Sequence, residues 1–176
     1  TISLENTLKK AFEFLLEIDW IDAGGVYLLD EKKQKLKLIY SIGLSENYIR
    51  KIKVFSVKEA PAMAVLRGKS RYIKKIEFLE PIKMVMEKED LTFAATIPLI
   101  YKRQVIGSIN LGSRSMEDIS WQDQKIIESI AARLANLIML IKTREQLISA
   151  NIELHRSLRN LESQNQLLIQ KSRLES

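Results

Sequence analysis

Residues 92–112 read TFAATIPLIYKRQVIGSINLG. Two apolar, β-branched runs, 92–100 and 104–112, flank the charged turn Tyr101-Lys102-Arg103, a pattern that predicts two adjacent antiparallel strands. Gly107, with the small Ala94 and Ala95, leaves room for close packing on this sheet. Towards the N-terminus, 25–29 (GVYLL) is rich in strand formers and is followed by the charged turn 30–34. Leu36, Leu38, Tyr40 and Ile42 then alternate along one face of a second strand, so this region reads as a hairpin. Before it, Leu4, Leu8, Ala11, Phe12, Leu15 and Leu16 form a helical stripe over 3–18, broken by 22–25. Between the two strand pairs, 45–53 and 59–67 predict short helices, the second opened by Ala60-Pro61 and closed by Gly68. Arg71-Tyr72-Ile73 reads as a short strand. Residues 77–90, with Pro81 ahead of Met84, Val85 and Met86, read as helix or loop.

From Ser120 the period changes. Ser120 with Asp123 has the form of an N-cap with an acid in the first turn. Ile127, Ile130, Ala131, Leu134, Ala135 and Ile138 make a core-facing stripe. No Pro or Gly follows Ser120, which predicts one helix of roughly 55 residues, about 80 Å long at 1.5 Å per residue. Leu140, Leu147, Leu154, Leu161 and Leu168 recur every seven residues. With these at d, the a positions are Leu137, Arg144, Asn151, Leu158, Asn165 and Ser172. Leucine at d with Asn at a is the pattern of a parallel two-stranded coil. Residues 1–139 already account for a complete core, so the helix is expected to pair with a second copy, making a homodimer.

The chain has 176 residues, no cysteine, a single histidine and a net charge of +6. Disulfides, thiolate nucleophiles and zinc–thiolate sites are thereby excluded, and a multi-histidine metal site with them. No uncharged run approaches the roughly 18 residues needed to cross a bilayer, and no signal peptide opens the chain, so no transmembrane segment and a cytoplasmic location are expected. A start at Thr1 and an end inside a helical pattern point to a piece of something larger. Residues 30–75 carry 13 Lys and Arg against four acids. Such a stretch can attract nucleic acid, anionic lipid or a small anionic ligand, or form a solvated face. A basic zipper is ruled out because the segment before the first leucines, 131–139, is apolar, and no nucleic-acid partner is expected.

Catalytic motifs are missing. Glu117-Asp118 and Glu89-Asp90 read as solvated or helix-start acids, no P-loop or dinucleotide fingerprint occurs, and Gly24-Gly25 leads into a strand, where it offers no anion cradle. His155 falls at e of the heptads and reads as a coil-flanking residue followed by Arg156. Lying outside the globular part, it also argues against haem. No enzyme activity is expected of this chain.

The order helix, hairpin, small helices, two strong strands, long helix resembles the GAF domain, a relative of the PAS domain. The motifs that carry the resemblance are 22–30 (DAGGVYLLD), 64–69 (AVLRGK), 97–100 (IPLI) with 105–111 (VIGSINL), and Ile119-Ser120 with Asp123, Ile127 and Ala131. The resemblance implies an α+β fold with a central antiparallel sheet. The first and last helices would share one of its faces and a ligand pocket or lid the other. It assigns 1–139 to the sensory domain and 140–176 to a coiled-coil signalling helix. Bilin-binding members use a cysteine and are excluded. So are methionine-sulfoxide-reducing members, which also depend on cysteines. Cyclic-nucleotide-binding members carry Asn-Lys and Phe-x-x-x-Asp-Glu where this chain has Ser113-Arg114 and Ile119-x-x-x-Asp123-Gln124, which argues against that ligand.

Tyr40, Met63, Arg71, Tyr72, Phe93 and Ser108 are the expected lining of a pocket for a small anionic or apolar ligand, Arg71 holding the anion through a bidentate fork. Leu140, Leu147, Asn151, Leu154, Leu158, Leu161, Asn165 and Leu168 are the expected dimer seam. The functional expectation is a sensory and relay module of a multidomain signalling protein, transmitting its state through the coil to an effector such as a histidine kinase. The alternative is a GAF-like dimerisation scaffold without a ligand.

Overall fold

The computed structural model describes residues 3–80 and 82–175. The chain divides into two units, Thr1–Ile138 and Met139–Ser176. In order, the elements are α1 (Leu4–Leu15), β1 (Ala23–Asp30), β2 (Lys35–Ile42), α2 (Glu46–Ile52), β3 (Val54–Ser56), α3 (Ala60–Leu66), β4 (Arg71–Lys74), a 3-10 turn (Lys75–Glu77), α4 (Ile82–Lys88), β5 (Phe93–Tyr101), β6 (Gln104–Ser113) and α5 (Trp121–Leu174). The six strands form one antiparallel sheet in the order β3-β2-β1-β6-β5-β4. Segment 77–90 contains a helix, α4, while Pro81 lies outside the described residues. The edge strand β3 carries no sequence signal of its own, and α1 ends at Leu15, three residues short of the expected span.

Alternation along the strands gives the sheet two chemically different faces. Val26 and Leu28 of β1, Phe93, Ala95, Ile97 and Leu99 of β5, and Ile109 and Leu111 of β6 bury against Leu8, Phe12 and Leu15 of α1. On the same face lie Ile127, Ala131, Leu134, Ala135 and Ile138 of α5. That cluster holds 19 buried residues among those described. The opposite face has two smaller ones: Tyr27, Leu36, Ala62 and Val65 under α3, and Phe78, Met86 and Leu91 at α4. Each large apolar side chain fully buried contributes about 1.5–3 kcal/mol. The α1/α5 face therefore carries most of the stability, and the short helices opposite form the more weakly held layer.

One expected face is split. Val26 pairs with Tyr40 but Tyr27 pairs with Leu38, so Ile39 is an extra residue in β2. A bulge of this kind reverses the alternation beyond it. Leu36 and Leu38 stay with the α3 cluster, whereas Tyr40 and Ile42 pack on the α1/α5 side.

Local chemistry fixes the helix ends. Ser45 Oγ accepts from the Tyr48 amide at 3.2 Å. Pro61 stands in the first turn of α3, and Gly68, at φ 70°, closes it in the left-handed conformation. Ser120 Oγ accepts from the Asp123 amide at 3.1 Å at the head of α5, as its sequence predicts. That helix runs 54 residues. Beyond Lys142 every described residue is exposed, and the leucines at 140, 147, 154, 158, 161 and 168 are 47–70% exposed in the single chain.

The β5–β6 hairpin turns on two residues, Lys102 and Arg103, with φ 47° and 67°. Two-residue turns of this hand favour Asn-Gly, because a side chain at positive φ is strained. The double substitution Lys102→Asn/Arg103→Gly should raise stability by about 1 kcal/mol, read as a melting temperature higher by about 2–4 °C in circular dichroism. An unchanged or lower midpoint would refute the strain argument.

Candidate functional site

Between the second face of the sheet and its layer of short helices lies a cavity of about 170 Å³. Its floor is Ala23, Gly25 and Tyr27 of β1, Leu36 and Leu38 of β2, Arg71 and Ile73 of β4, Ala94 and Thr96 of β5, and Asn110 and Gly112 of β6. Its cover is Leu44 ahead of α2, Tyr48 and Ile52 of α2, Phe55 of β3, Pro61, Ala64 and Val65 of α3, and Ile82, Met86 and Leu91 around α4. The volume suits one small molecule: an apolar cavity of roughly 150 Å³ holds a benzene ring, whereas drug-sized ligands occupy ~300 Å³ and more.

Few polar groups reach this space, and they lie in register. Arg71 pairs with Thr96, Thr96 with Asn110, and Asn110 with Gly25, so one row crosses four neighbouring strands on the cavity face. Asn110 Oδ1 accepts from the buried Ser108 Oγ at 3.0 Å. Among the described residues, the Arg71 guanidinium, the Thr96 hydroxyl and the Asn110 amide nitrogen have no hydrogen-bond or ion-pair partner. Tyr27 Oη donates to the carbonyl of Ile52 at 2.7 Å and ties the end of α2 to the floor. Burial pushes the Tyr48 phenol up to about 12, helped by the charge of Glu89. Burial raises the Tyr27 phenol further, with the neighbouring Tyr48 adding to it.

A polar junction holds the cover. Glu89, at the end of α4, is buried. Its carboxylate accepts from the Ser45 amide at 3.1 Å and from the Ser45 hydroxyl, fixing the start of α2. Arg114, one residue past β6, donates to the carbonyls of Glu89 at 2.9 Å and of Gly43 at 2.7 Å. Its guanidinium stands 3.7 Å from the Glu89 carboxylate, and its backbone amide donates to Asp22 at 2.6 Å. Glu89 is thus not the solvated or helix-start acid its sequence suggests. The fold turns it inwards, where α2 and β6 supply donors. Asp118, by contrast, sits at the surface against Lys74 at 2.6 Å.

Of the six expected lining residues, Arg71 faces the cavity. Ser108 is fully buried on the same side of β6 and touches the site through Asn110. Met63 is 47% exposed on α3. Tyr72 follows Arg71 in the strand and so points the other way, its hydroxyl donating to Glu128 of α5 at 2.9 Å. Phe93 is packed edge-on against Trp20. Tyr40 lies beyond the bulge, with its ring 5.1 Å from that of Phe12. Sequence reasoning missed Thr96, Asn110 and Tyr48. The available signal for Asn110 was a lone amide inside an apolar strand run; for Thr96, its parity with Ala94 on the cavity face.

The fold is a small α+β domain, a two-faced antiparallel sheet with a covered cavity on one side. The GAF domain family model matches residues 1–139, and the chain belongs to that family. No curated protein sequence matches it. Among solved structures it is similar to a domain assigned to a two-component sensor histidine kinase of Sinorhizobium meliloti 1021, at TM-score 0.70 and 16% identity over 83% of this chain and 97% of the other. It is also similar to the GAF domain of a two-component sensor histidine kinase from Bacillus halodurans, at TM-score 0.67 and 17% identity over 82% and 99%. A third is a type II free methionine-R-sulfoxide reductase from Thermoplasma acidophilum, at TM-score 0.61 and 20% identity over 78% and 94%.

Two outcomes are expected of this site. Glu89→Ala leaves the Ser45 donors and Arg114 without their carboxylate, and should destabilise the domain by about 2–3 kcal/mol. Amide exchange should accelerate over 44–52 while β5 and β6 stay protected; uniform exchange would show that the junction does not hold the cover. The second concerns pH. Both buried phenols sit above their ordinary value of 10.0, so above that pH the native chain keeps protons that the unfolded chain releases. Stability is full below pH 10 and falls as pH rises through about 12 for Tyr48. Tyr48→Phe should flatten alkaline unfolding by about 1.4 kcal/mol per pH unit in that window, measured by urea titration at fixed pH.

Proposed function

We propose that the chain is the sensory and relay module of a multidomain signalling protein. In this reading 1–139 is the sensing domain and 140–176 the signalling helix. A small molecule in the cavity sets the state of the module. A parallel homodimeric coil, seamed by Leu140, Leu147, Asn151, Leu154, Leu158, Leu161, Asn165 and Leu168, passes that state to an effector domain of the same polypeptide, such as a histidine kinase.

The observation that carries the reading is the pair Arg71 and Tyr72. Consecutive residues of one edge strand, they face opposite sides of the sheet: Arg71 lines the cavity, and Tyr72 hydrogen-bonds Glu128 on α5. A ligand that moves β4 therefore moves a direct contact of the output helix, and two arrangements of that contact would give two output states. The dimer is supported by the row of half-exposed or more exposed leucines, since water-facing leucines at seven-residue spacing are relieved by pairing. Asn151 and Asn165 at a favour an in-register parallel partner and weaken the coil locally, which suits a switch better than a rigid rod. The effector is proposed from the kinase origin of the relatives. The module itself is read as non-catalytic. The activity named for the reductase relative is not carried over, because the resemblance ties that chemistry to cysteines and this chain has none.

Native mass spectrometry of gently purified protein tests sensing: a dimer carrying an extra non-covalent mass per chain supports it, and a bare dimer with no ligand-dependent thermal shift favours a dimerisation scaffold. For the coil, Leu154→Cys should cross-link readily between copies under mild oxidation. Failure to cross-link in solution, or a monomer by mass, would refute the parallel seam.

A further inference from the structure

Each free hydrogen-bonding group in the row Arg71–Thr96–Asn110 can donate. Arg71 can only donate, and it finds no acceptor among the described residues. Asn110 has its acceptor oxygen engaged by Ser108, so what it offers the cavity is its NH2. Thr96, between them in the same row, supplies a hydroxyl. No Asp or Glu lines the cavity among the described residues. The remaining surface is aliphatic and aromatic, from Leu36, Leu38 and Phe55 to Met86.

We infer that the ligand is a small monocarboxylate with a compact apolar body, a single ring or a short branched chain; this rests on the cavity being the sensing site. One guanidinium matches one negative charge, and its planar fork fits a carboxylate through two parallel hydrogen bonds. The row from Arg71 to Asn110 crosses two strand spacings, about 10 Å, so the carboxylate sits at the Arg71–Thr96 end with Asn110 reading a second acceptor or the far oxygen. Arg71 is exposed, which puts the charged end at the mouth and spares the ion full desolvation. The apolar body fills the roughly 150 Å³ class of space that takes one ring. The basic stretch 30–75, which contains Arg71 and carries 13 cations against four acids, draws an anion towards that mouth. Cationic ligands are disfavoured by the same row, and larger dianions by the single guanidinium and the volume.

The test uses the full 176-residue chain and matched probes: benzoate against benzamide, and isovalerate against isovaleramide, with affinities from calorimetry and ligand-observed NMR. At least one carboxylate should bind about tenfold or more tightly than its amide, the scale of one charge-assisted hydrogen bond. Arg71→Gln should remove that preference, lowering carboxylate affinity about tenfold or more and amide affinity far less. Thr96→Val, which keeps the shape, should weaken the carboxylate several-fold. Ala94→Leu, which narrows the cavity, should weaken acids and amides alike; binding untouched by it places the probes elsewhere and overturns the inference. Amides that bind as well as the acids would leave the cavity a ligand site and overturn the carboxylate assignment. Carboxylate binding indifferent to Arg71→Gln would overturn it too. If none of the four probes binds, the carboxylate inference falls, while the sensing reading is decided separately by the bound mass in native mass spectrometry.

Discussion

The pleat of β1, β5 and β6 is the constraint on which the rest depends. These central strands are covered on both sides, so each successive residue must satisfy a different environment. Phe93, Ala95, Ile97 and Leu99 of β5 and Ile109 and Leu111 of β6 are apolar and close the core against α1 and α5. Their neighbours Ala94, Thr96, Asn110 and Gly112 are small or polar and leave the opposite side open. Gly24 shows how tight the first side is: a Cβ there would lie 2.7 Å from the Phe12 ring. Its neighbour Gly25 falls on the cavity side, and a Cβ there would lie 2.8 Å from Leu38. A strongly packed face and a loosely filled one thus follow from one alternation.

That division separates stability from responsiveness. The α1/α5 face is apolar and extensive. The cover opposite is three helices of seven residues each, too short to be stable alone. It is held by two small apolar clusters, by the Tyr27 bond to the end of α2, and by the junction of Ser45, Glu89 and Arg114. Elements of that kind open more cheaply than a core. Edge strand β4 belongs to both sides at once, because Arg71 and Tyr72 cannot point the same way.

Most of the fold was legible in the sequence because its signals are local. The hairpins, the α1 stripe, the capped ends of α3 and α5 and the unbroken run after Ser120 each depend on residues within a few positions of one another. The heptad leucines were legible for the same reason. The site was much less so. Tyr40 was assigned to the side of Leu38 because strict alternation allows nothing else, and the bulge at Ile39 that moves it depends on pairing with β1. Arg71 and Tyr72 are both expected at the pocket, although adjacency in a strand puts two residues on opposite faces. Glu89 looked like a surface acid, since its donors come from residues 44 to 25 positions away in the chain.

The sequence by itself determined the family, the order of elements apart from β3 and α4, the helix caps and the seven-residue repeat, because periodicity and capping act over single turns of chain. Which side chains meet was decided only by the tertiary structure. The row Arg71–Thr96–Asn110 is assembled from three strands whose register is set by hydrogen bonds between distant segments, and a shift of one residue in any of them would turn that side chain to the other face.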